Sequence, residues 1–250
     1  MSILLSNVTK KFPVYDENLS NDEQVRDGFF YALSDVSLSI DTGGCTIIGG
    51  ANGSGKSLLM SIIAGLEEPT SGAVKTDVRV GLVFQEPDAQ ILGETVQEDV
   101  TFGPANMRLS KEQINIQVND ALTQTGLCKR KFFPARSLSG GEKRRLAAAG
   151  VLAMNAEIII FDEPYANMDY TGIVQVNRLF KKLITDGRTV IILTHELEKC
   201  MALANRFIIL FKGKIVFDGQ ASDALSVDLE SFGIHHPLRK AALKLEDLLW

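Results

Sequence analysis

Apolar residues along this chain fall into short continuous runs separated by longer stretches of helical pattern. Cys45-Thr46-Ile47-Ile48, Val78 to Phe84, Ile158 to Phe161, Thr189 to Leu193 and Phe207 to Leu210 are each strand-sized. Strands apolar on consecutive positions are buried on both faces, and their alternation with helices predicts a largely parallel sheet between two layers. Ser57 to Leu66 reads as the first of those helices, after glycines at 49, 50, 53 and 55. Between Pro87 and Gly150 the pattern becomes polar and helix-favouring, over Ser110 to Leu127 and then Gly141 to Met154, with no central strand. We read that stretch as a helical subdomain inserted into an α/β core.

Two segments lie outside this scheme. Residues 14 to 28 carry Asp16, Glu17, Asp22, Glu23 and Asp27 against Arg26, which predicts an acidic solvated loop. Near the other end, Leu238, Ala241, Ala242, Leu245, Leu248 and Leu249 fall on one helical face, suited to packing on the body or on a partner.

Composition narrows the classes. The 250 residues are 45% hydrophobic and 23% charged, ordinary values for a globular chain with a sizeable core. Lys and Arg number 26 against 31 Asp and Glu, a formal charge of -5, so nucleic acid is not an expected partner. Cys45, Cys128 and Cys200 are far apart and outside CxxC spacing, which excludes a disulfide framework and a cysteine zinc site. No apolar run approaches the roughly 18 residues of a membrane span, and MSILLSNVTK lacks the pattern of a signal peptide. The expectation is a cytosolic chain, acting at a membrane only if another chain supplies the span.

Gly50-Ala51-Asn52-Gly53-Ser54-Gly55-Lys56-Ser57 satisfies GxxxxGK[ST] between a strand and a helix. Glycines let the backbone curl until successive N–H groups point at one phosphate chain, and the following helix adds its positive end. Lys56 would reach the β- and γ-phosphates, and the Ser57 hydroxyl would ligate Mg²⁺. A second acidic site follows Ile158 to Phe161, where Asp162 and Glu163 emerge at a strand end. Asp162 is placed to hold Mg²⁺ through water, and Glu163 to orient or deprotonate an attacking water. Leu138-Ser139-Gly140-Gly141-Glu142 opens a helix with a hydroxyl and bare N–H groups, either an ordinary cap or a second anion-facing turn.

Taken in order from about Leu4 to Gly219, these motifs closely resemble those of the nucleotide-binding subunit of ABC transporters. Residues 50 to 57 look like Walker A, Ile158 to Glu163 like Walker B, and Leu138 to Glu142 like the LSGGQ signature with glutamate in place of glutamine. Gln85 resembles the Q-loop glutamine, Ala166 to Asp169 the D-loop, and His195 the switch histidine. The resemblance implies a P-loop NTPase (RecA-like) α/β core of mostly parallel sheet, an antiparallel N-terminal β-subdomain and an inserted helical subdomain. Mapped on this chain, that is a core of 1–87 and 150–225, a helical signature subdomain of 88–149, and a C-terminal helical extension of 226–250.

The same resemblance implies ATP and Mg²⁺ as ligands. Nucleotide would touch Gly50, Asn52, Gly53, Ser54, Gly55, Lys56, Ser57 and Leu58, and, from a facing subunit, Ser139, Gly140 and Gly141. Phe12 would stack on adenine, with Phe30 and Tyr31 as competitors. Ser57, Gln85 and Asp162 would serve the metal, and Glu163, His195 and Gln85 the chemistry. ATP would then join two ATPase subunits, identical or paralogous.

Phe84 to Ile91, Thr95 to Val100 and Phe102-Gly103-Pro104 are similar to the ATPases of energy-coupling-factor (ECF) importers of metal ions and vitamins. That implies a transmembrane scaffold subunit, a substrate-binding membrane subunit, and a place on the cytoplasmic face of the membrane. Three alternatives stay open: another ABC importer or exporter ATPase, a soluble ABC ATPase of repair or translation, and a weakly catalytic regulatory partner. Two departures stand out. Leu58 replaces a hydroxyl residue, and Glu142 sets an acid beside the expected γ-phosphate. His235-His236 reads as a polar loop rather than a metal site.

Overall fold

A computed structural model describes residues 3–15 and 23–238. Its centre is a six-stranded sheet in the order β10 (Lys214–Gln220), β9 (Arg206–Phe211), β4 (Cys45–Gly49), β8 (Thr189–Leu193), β7 (Ile158–Asp162), β6 (Val80–Val83). All neighbours are parallel except β10, which closes one edge antiparallel to β9. The expected mostly parallel sheet is therefore present. Alternate side chains serve different layers: Ile158 and Ile160 join one apolar cluster, Ile159 and Phe161 the other. This is why the runs are apolar at every position rather than every second one.

On one face lies a four-stranded antiparallel sheet, β2 (Val25–Arg26), β3 (Phe29–Ile40), β1 (Ile3–Pro13), β5 (Ser71–Thr76). Ile3, Leu5 and Val8 of β1 and Val36, Leu38 and Ile40 of β3 bury themselves with helix α1 (Lys56–Ile63) against the central sheet. On the other face sits α5 (Tyr170–Thr185), with Phe180 and Leu183 fully buried. Burying each such side chain contributes about 1.5–3 kcal/mol.

The inserted segment holds α2 (Val96–Asn106), α3 (Lys111–Gln124) and α4 (Gly140–Ala153). Each begins with a reciprocal cap, Thr95 with Glu98, Ser110 with Gln113 and Ser139 with Glu142. Hydropathy alone discloses α3 and α4 but not α2, whose Phe102-Gly103-Pro104 interrupts the pattern. Pro104 is nonetheless inside that helix. The end of α4 packs under β6 and β7, so the boundary drawn at residues 149 and 150 falls within one helix.

Three local expectations change. Helix α1 stops at Ile63 because Gly65 turns left-handed (φ 72°) and Leu66 N–H closes onto the Ser61 carbonyl. The end of the acidic segment is not simply a loop, since Val25 and Arg26 pair with Phe30 and Phe29 in a hairpin. Of the expected C-terminal helical extension, residues 226–238 contain one 3-10 turn, Leu229–Phe232, which packs Leu229 and Ile234 into the core. The remainder of its apolar stripe, Ala241 to Leu249, lies outside the described residues, as do Asp16, Glu17 and Asp22. Among the described residues no helix is long and apolar enough to cross a membrane.

Candidate nucleotide site

The parallel strands β4, β6, β7 and β8 all deliver their C-terminal ends to one edge of the sheet, where α/β folds place ligands. The turn after β4 comes so close to its neighbours that side chains are excluded. A Cβ on Gly50 would stand 2.3 Å from the Leu210 carbonyl oxygen. One on Gly55, itself left-handed at φ 101°, would stand 2.8 Å from that of Ala32. Gly55 caps α1 without any side-chain acceptor, and no acid occupies the first turn. The N–H groups there are left for an anion.

Lys56 is buried, and its Nζ donates to the carbonyls of Gly50 (2.7 Å) and Ala51 (3.0 Å) inside the loop. Burial pulls its pKa down, while the charges of Glu163 and Asp162 oppose that shift. Asn52, Gly53 and Ser57 are exposed around it. Leu58 turns its side chain into the apolar cluster beneath, so only its backbone N–H can face a phosphate.

Strand β7 carries Asp162 and Glu163 to the same edge. Burial raises the Asp162 pKa, with the Ser57 hydroxyl beside it pulling the other way. Glu163 adopts φ 42°, left-handed for a residue with a Cβ, while its N–H still donates to the Leu193 carbonyl at 2.9 Å. Such a conformation costs on the order of 1 kcal/mol and persists where surrounding contacts enforce it. It re-aims the carboxylate just beyond the strand. His195 Nδ1 lies 2.9 Å from Glu163 Oε1.

Three buried side-chain oxygens here lack a hydrogen-bond partner: Ser54 Oγ, Asp162 Oδ1 and Glu163 Oε2. Orphaned polar atoms cost about 1–3 kcal/mol each and are rare outside functional sites. With the Ser57 hydroxyl they make a hard, oxygen-only donor set beside an anion-binding loop, which fits a phosphate chain and Mg²⁺.

Gln85 is exposed two residues past β6. The register Val83 with Phe161 puts it level with Glu163. Its carbonyl accepts from the buried Arg144 guanidinium at 3.4 Å. Phe12 is 42% exposed, paired across the strands with Phe30, with Lys10 Nζ 5.4 Å over its ring. Tyr31 instead carries the Arg26 guanidinium 3.9 Å from its ring centre, leaving it less free to stack.

Ser139 and Gly140 are exposed and Gly141 half-exposed. They line a surface hollow with Asn167, Met168 and Asp169. The turn is therefore open to a neighbouring molecule. Asp169 caps α5 by accepting from Gly172 N–H at 2.7 Å. His236 spends both ring nitrogens locally, on the Leu225 carbonyl (2.9 Å) and the Leu238 N–H (3.2 Å). That agrees with a polar loop.

Several supporting residues escape sequence reasoning. Tyr165 donates to Asn177 Oδ1 (2.6 Å), and Asn177 Nδ2 donates to the Lys199 carbonyl (2.7 Å), tying the loop after Glu163 to the loop after His195. Gln90 Nε2 donates to the Leu82 carbonyl (2.9 Å) and Gln90 Oε1 accepts from Phe84 N–H (3.2 Å), standing in for a missing strand beside β6. Asp99 Oδ1 accepts from the N–H groups of Leu92 (2.7 Å) and Gly93 (2.9 Å). Only the quoted strings around Pro87 to Gln90 and Glu98-Asp99-Val100 mark these positions in the sequence.

Comparison with known proteins agrees with this geometry. A family model described as ABC transporter matches residues 33–166. The chain is 38% identical to the energy-coupling factor transporter ATP-binding protein EcfA2 of Methanospirillum hungatei, over 87% of this chain and 57% of that protein, so it spans little more than half of that relative's length. It is 37% identical to the Clostridium tetani protein of the same name, over 95% of this chain and 86% of the other. Among solved structures, cbiO1 from Clostridium perfringens, described as part of the ABC transporter complex cbiONQ, aligns with TM-score 0.77 and 29% identity. That alignment covers 98% of this chain and 96% of the other. The cassette MJ0796, solved as a dimer bound to ADP and Pi, aligns with TM-score 0.73 and 29% identity, over 88% and 98% of the two chains.

Proposed function

The chain belongs to the ABC transporter ATPase family, and from that premise we propose that it powers solute import through an ECF-type membrane complex. The observation that carries the reading is the convergence of Lys56, Asp162 and the Glu163–His195 pair on one sheet edge, while the Ser139 turn stays open on another surface. The first set can hold one side of ATP; nothing in it covers the far side of the γ-phosphate. A second ATPase chain would supply that cover through its own Ser139, Gly140 and Gly141.

In this reading Gly50, Asn52, Gly53, Ser54, Gly55 and the N–H groups of Lys56 to Leu58 cradle the phosphates, and Phe12 stacks on adenine. Ser57, Asp162 and the Gln85 amide oxygen would hold Mg²⁺, which when bound neutralises phosphate charge. Lys56 gives up its loop carbonyls for phosphate oxygens, a short move for a side chain already buried beside them. Glu163 aligns a water and accepts its proton as the γ-phosphate is attacked. His195 fixes that carboxylate and contacts the phosphate. The rate gain comes from positioning and electrostatics in a closed, water-poor site.

The helical subdomain supports docking of a transmembrane partner. Leu92 (64%), Phe102 (52%) and Phe132 (79%) are large apolar side chains that it leaves exposed to a partner. They lie in the segment that leaves the core just after Gln85, so a partner seated there can sense the nucleotide. In this reading the chain sits at the cytoplasmic face of the membrane, with scaffold and substrate-binding subunits above it.

The test is copurification of the tagged chain from its native membrane. A complex with a polytopic scaffold, a small substrate-binding membrane protein and Mg²⁺-dependent ATPase activity is expected. A chain that isolates alone, or a complex that does not split ATP, would overturn the reading.

A further inference from the structure

We propose that Glu142 is a built-in brake on closure of the ATP sandwich, and that Arg130 is the counter-charge limiting its strength. The inference rests on the shared-nucleotide reading above and goes beyond it, because it concerns how readily this chain's Ser139 turn accepts the facing subunit's ATP.

Ser139 has a single hydroxyl proton, and it is already committed. Its Oγ lies 2.9 Å from Glu142 Oε2, and the same carboxylate oxygen accepts from the Ser139 N–H at 3.0 Å. In return the Glu142 N–H donates to Ser139 Oγ at 3.4 Å. Before Ser139 can donate to an incoming γ-phosphate, its hydroxyl must leave an anionic acceptor that competes directly with the phosphate. The carboxylate is itself a negative charge beside a site built for negative charge. Its side chain is 21% exposed, so water screens it only in part. The bonds from Ser139 also hold its pKa below the usual carboxylate range, keeping that charge in place.

The charge is not needed to build the helix. A glutamine at this third helical position completes the same reciprocal cap, as Gln113 does with Ser110 at the start of α3. What glutamate adds is competition and repulsion. Arg130 moderates both, with its Nε 3.4 Å from Glu142 Oε1 and its guanidinium resting on the Phe133 ring at 4.6 Å. Arg145, the next cation, donates to Gln175 Oε1 at 2.5 Å and adds a smaller attraction for the Glu142 carboxylate. The brake strength is thus set by one acid and, first among its counter-charges, the arginine that pairs with it from another part of the inserted segment.

The experiment is a double-mutant cycle on ATPase kinetics in the complex purified with its companion chains. Glu142→Gln should lower the KM for ATP by about fivefold, the scale of removing one partly screened like charge beside a phosphate. Arg130→Gln should raise KM by about two- to threefold in the parent and leave it unchanged in the Glu142→Gln background. An unchanged or raised KM in Glu142→Gln overturns the inference, and so does an Arg130 effect of equal size in both backgrounds. Thermal midpoints of the variants within about 2 °C of the parent separate these outcomes from a folding loss. A parent complex that hydrolyses no ATP would instead overturn the proposed function, so the two failures are distinct.

Discussion

His195 Nδ1 and Glu163 Oε1 meet at 2.9 Å, joining the ends of two neighbouring parallel strands. Glu163 is buried and left-handed, whereas His195 is about half exposed, at 49% of its side chain. One residue is therefore enclosed by the fold and the other stands at the solvent boundary. A contact of this kind reports whether the site is assembled.

Glu163→Gln should bind ATP with affinity within about threefold of the parent, yet lower kcat by at least about 100-fold, the scale of losing a positioned base. His195→Ala should lower kcat by a smaller factor. Because His195 acts in part through that contact, the double variant should be slower than Glu163→Gln alone by less than the His195→Ala factor. Single-turnover hydrolysis alongside equilibrium nucleotide binding checks this, and a fully multiplicative double variant would separate the two roles.

Ser139→Arg should act across the interface. In a dimer with one altered and one intact chain, hydrolysis should fall at the Walker site facing the altered Ser139, not at the altered chain's own Lys56. Pairing Ser139→Arg with Lys56→Ala on the same chain, and then on opposite chains, distinguishes the two. Same-chain substitutions should leave almost no activity, because they disable both composite sites. Opposite-chain substitutions should leave about half, because both fall on one site and spare the other, if the two composite sites work independently. The reverse pattern would place Ser139 beside its own chain's Lys56. Equal loss in both arrangements would defeat the shared site.

Asp162→Asn should stabilise the nucleotide-free protein near neutral pH, by about 1 kcal/mol, while abolishing Mg²⁺-dependent turnover. Asp162 is buried with Oδ1 unpartnered, and its folded-state pKa is raised by desolvation. A raised acid pKa means the folded state takes up the proton more readily than the unfolded chain. The advantage of Asn should be full above the raised pKa and shrink as pH falls toward the ordinary value of 3.8, where the parent's carboxyl becomes neutral as well. Denaturant unfolding across that range measures it.

Gln90→Leu should cost about 1–2 kcal/mol, because it orphans the Leu82 carbonyl and the Phe84 N–H at the exposed edge of β6. The same change should raise hydrogen exchange at Phe84 and Gln85 selectively, with β7 amides unaffected. Uniform exchange across both strands would mean Gln90 supports the sheet generally and not the turn that carries Gln85.

The sequence by itself determined the central sheet, the glycine loop and the strand-end acids, because each depends on local rules. A strand buried on both faces must be apolar throughout, and only glycine fits where a Cβ on residue 50 would strike the Leu210 carbonyl. The three capped helices were also written locally, in Thr95 to Glu98, Ser110 to Gln113 and Ser139 to Glu142, although Pro104 masked α2. Tertiary structure alone decided which distant groups share a bond. Arg130 meeting Glu142, Arg144 reaching the Gln85 carbonyl and Asn177 bridging Tyr165 to Lys199 leave no periodic trace, because these pairings arise only when separate elements pack. For the same reason Glu142, legible only as an extra acid beside the signature, became the keeper of the Ser139 proton once the first turn of α4 was folded around it.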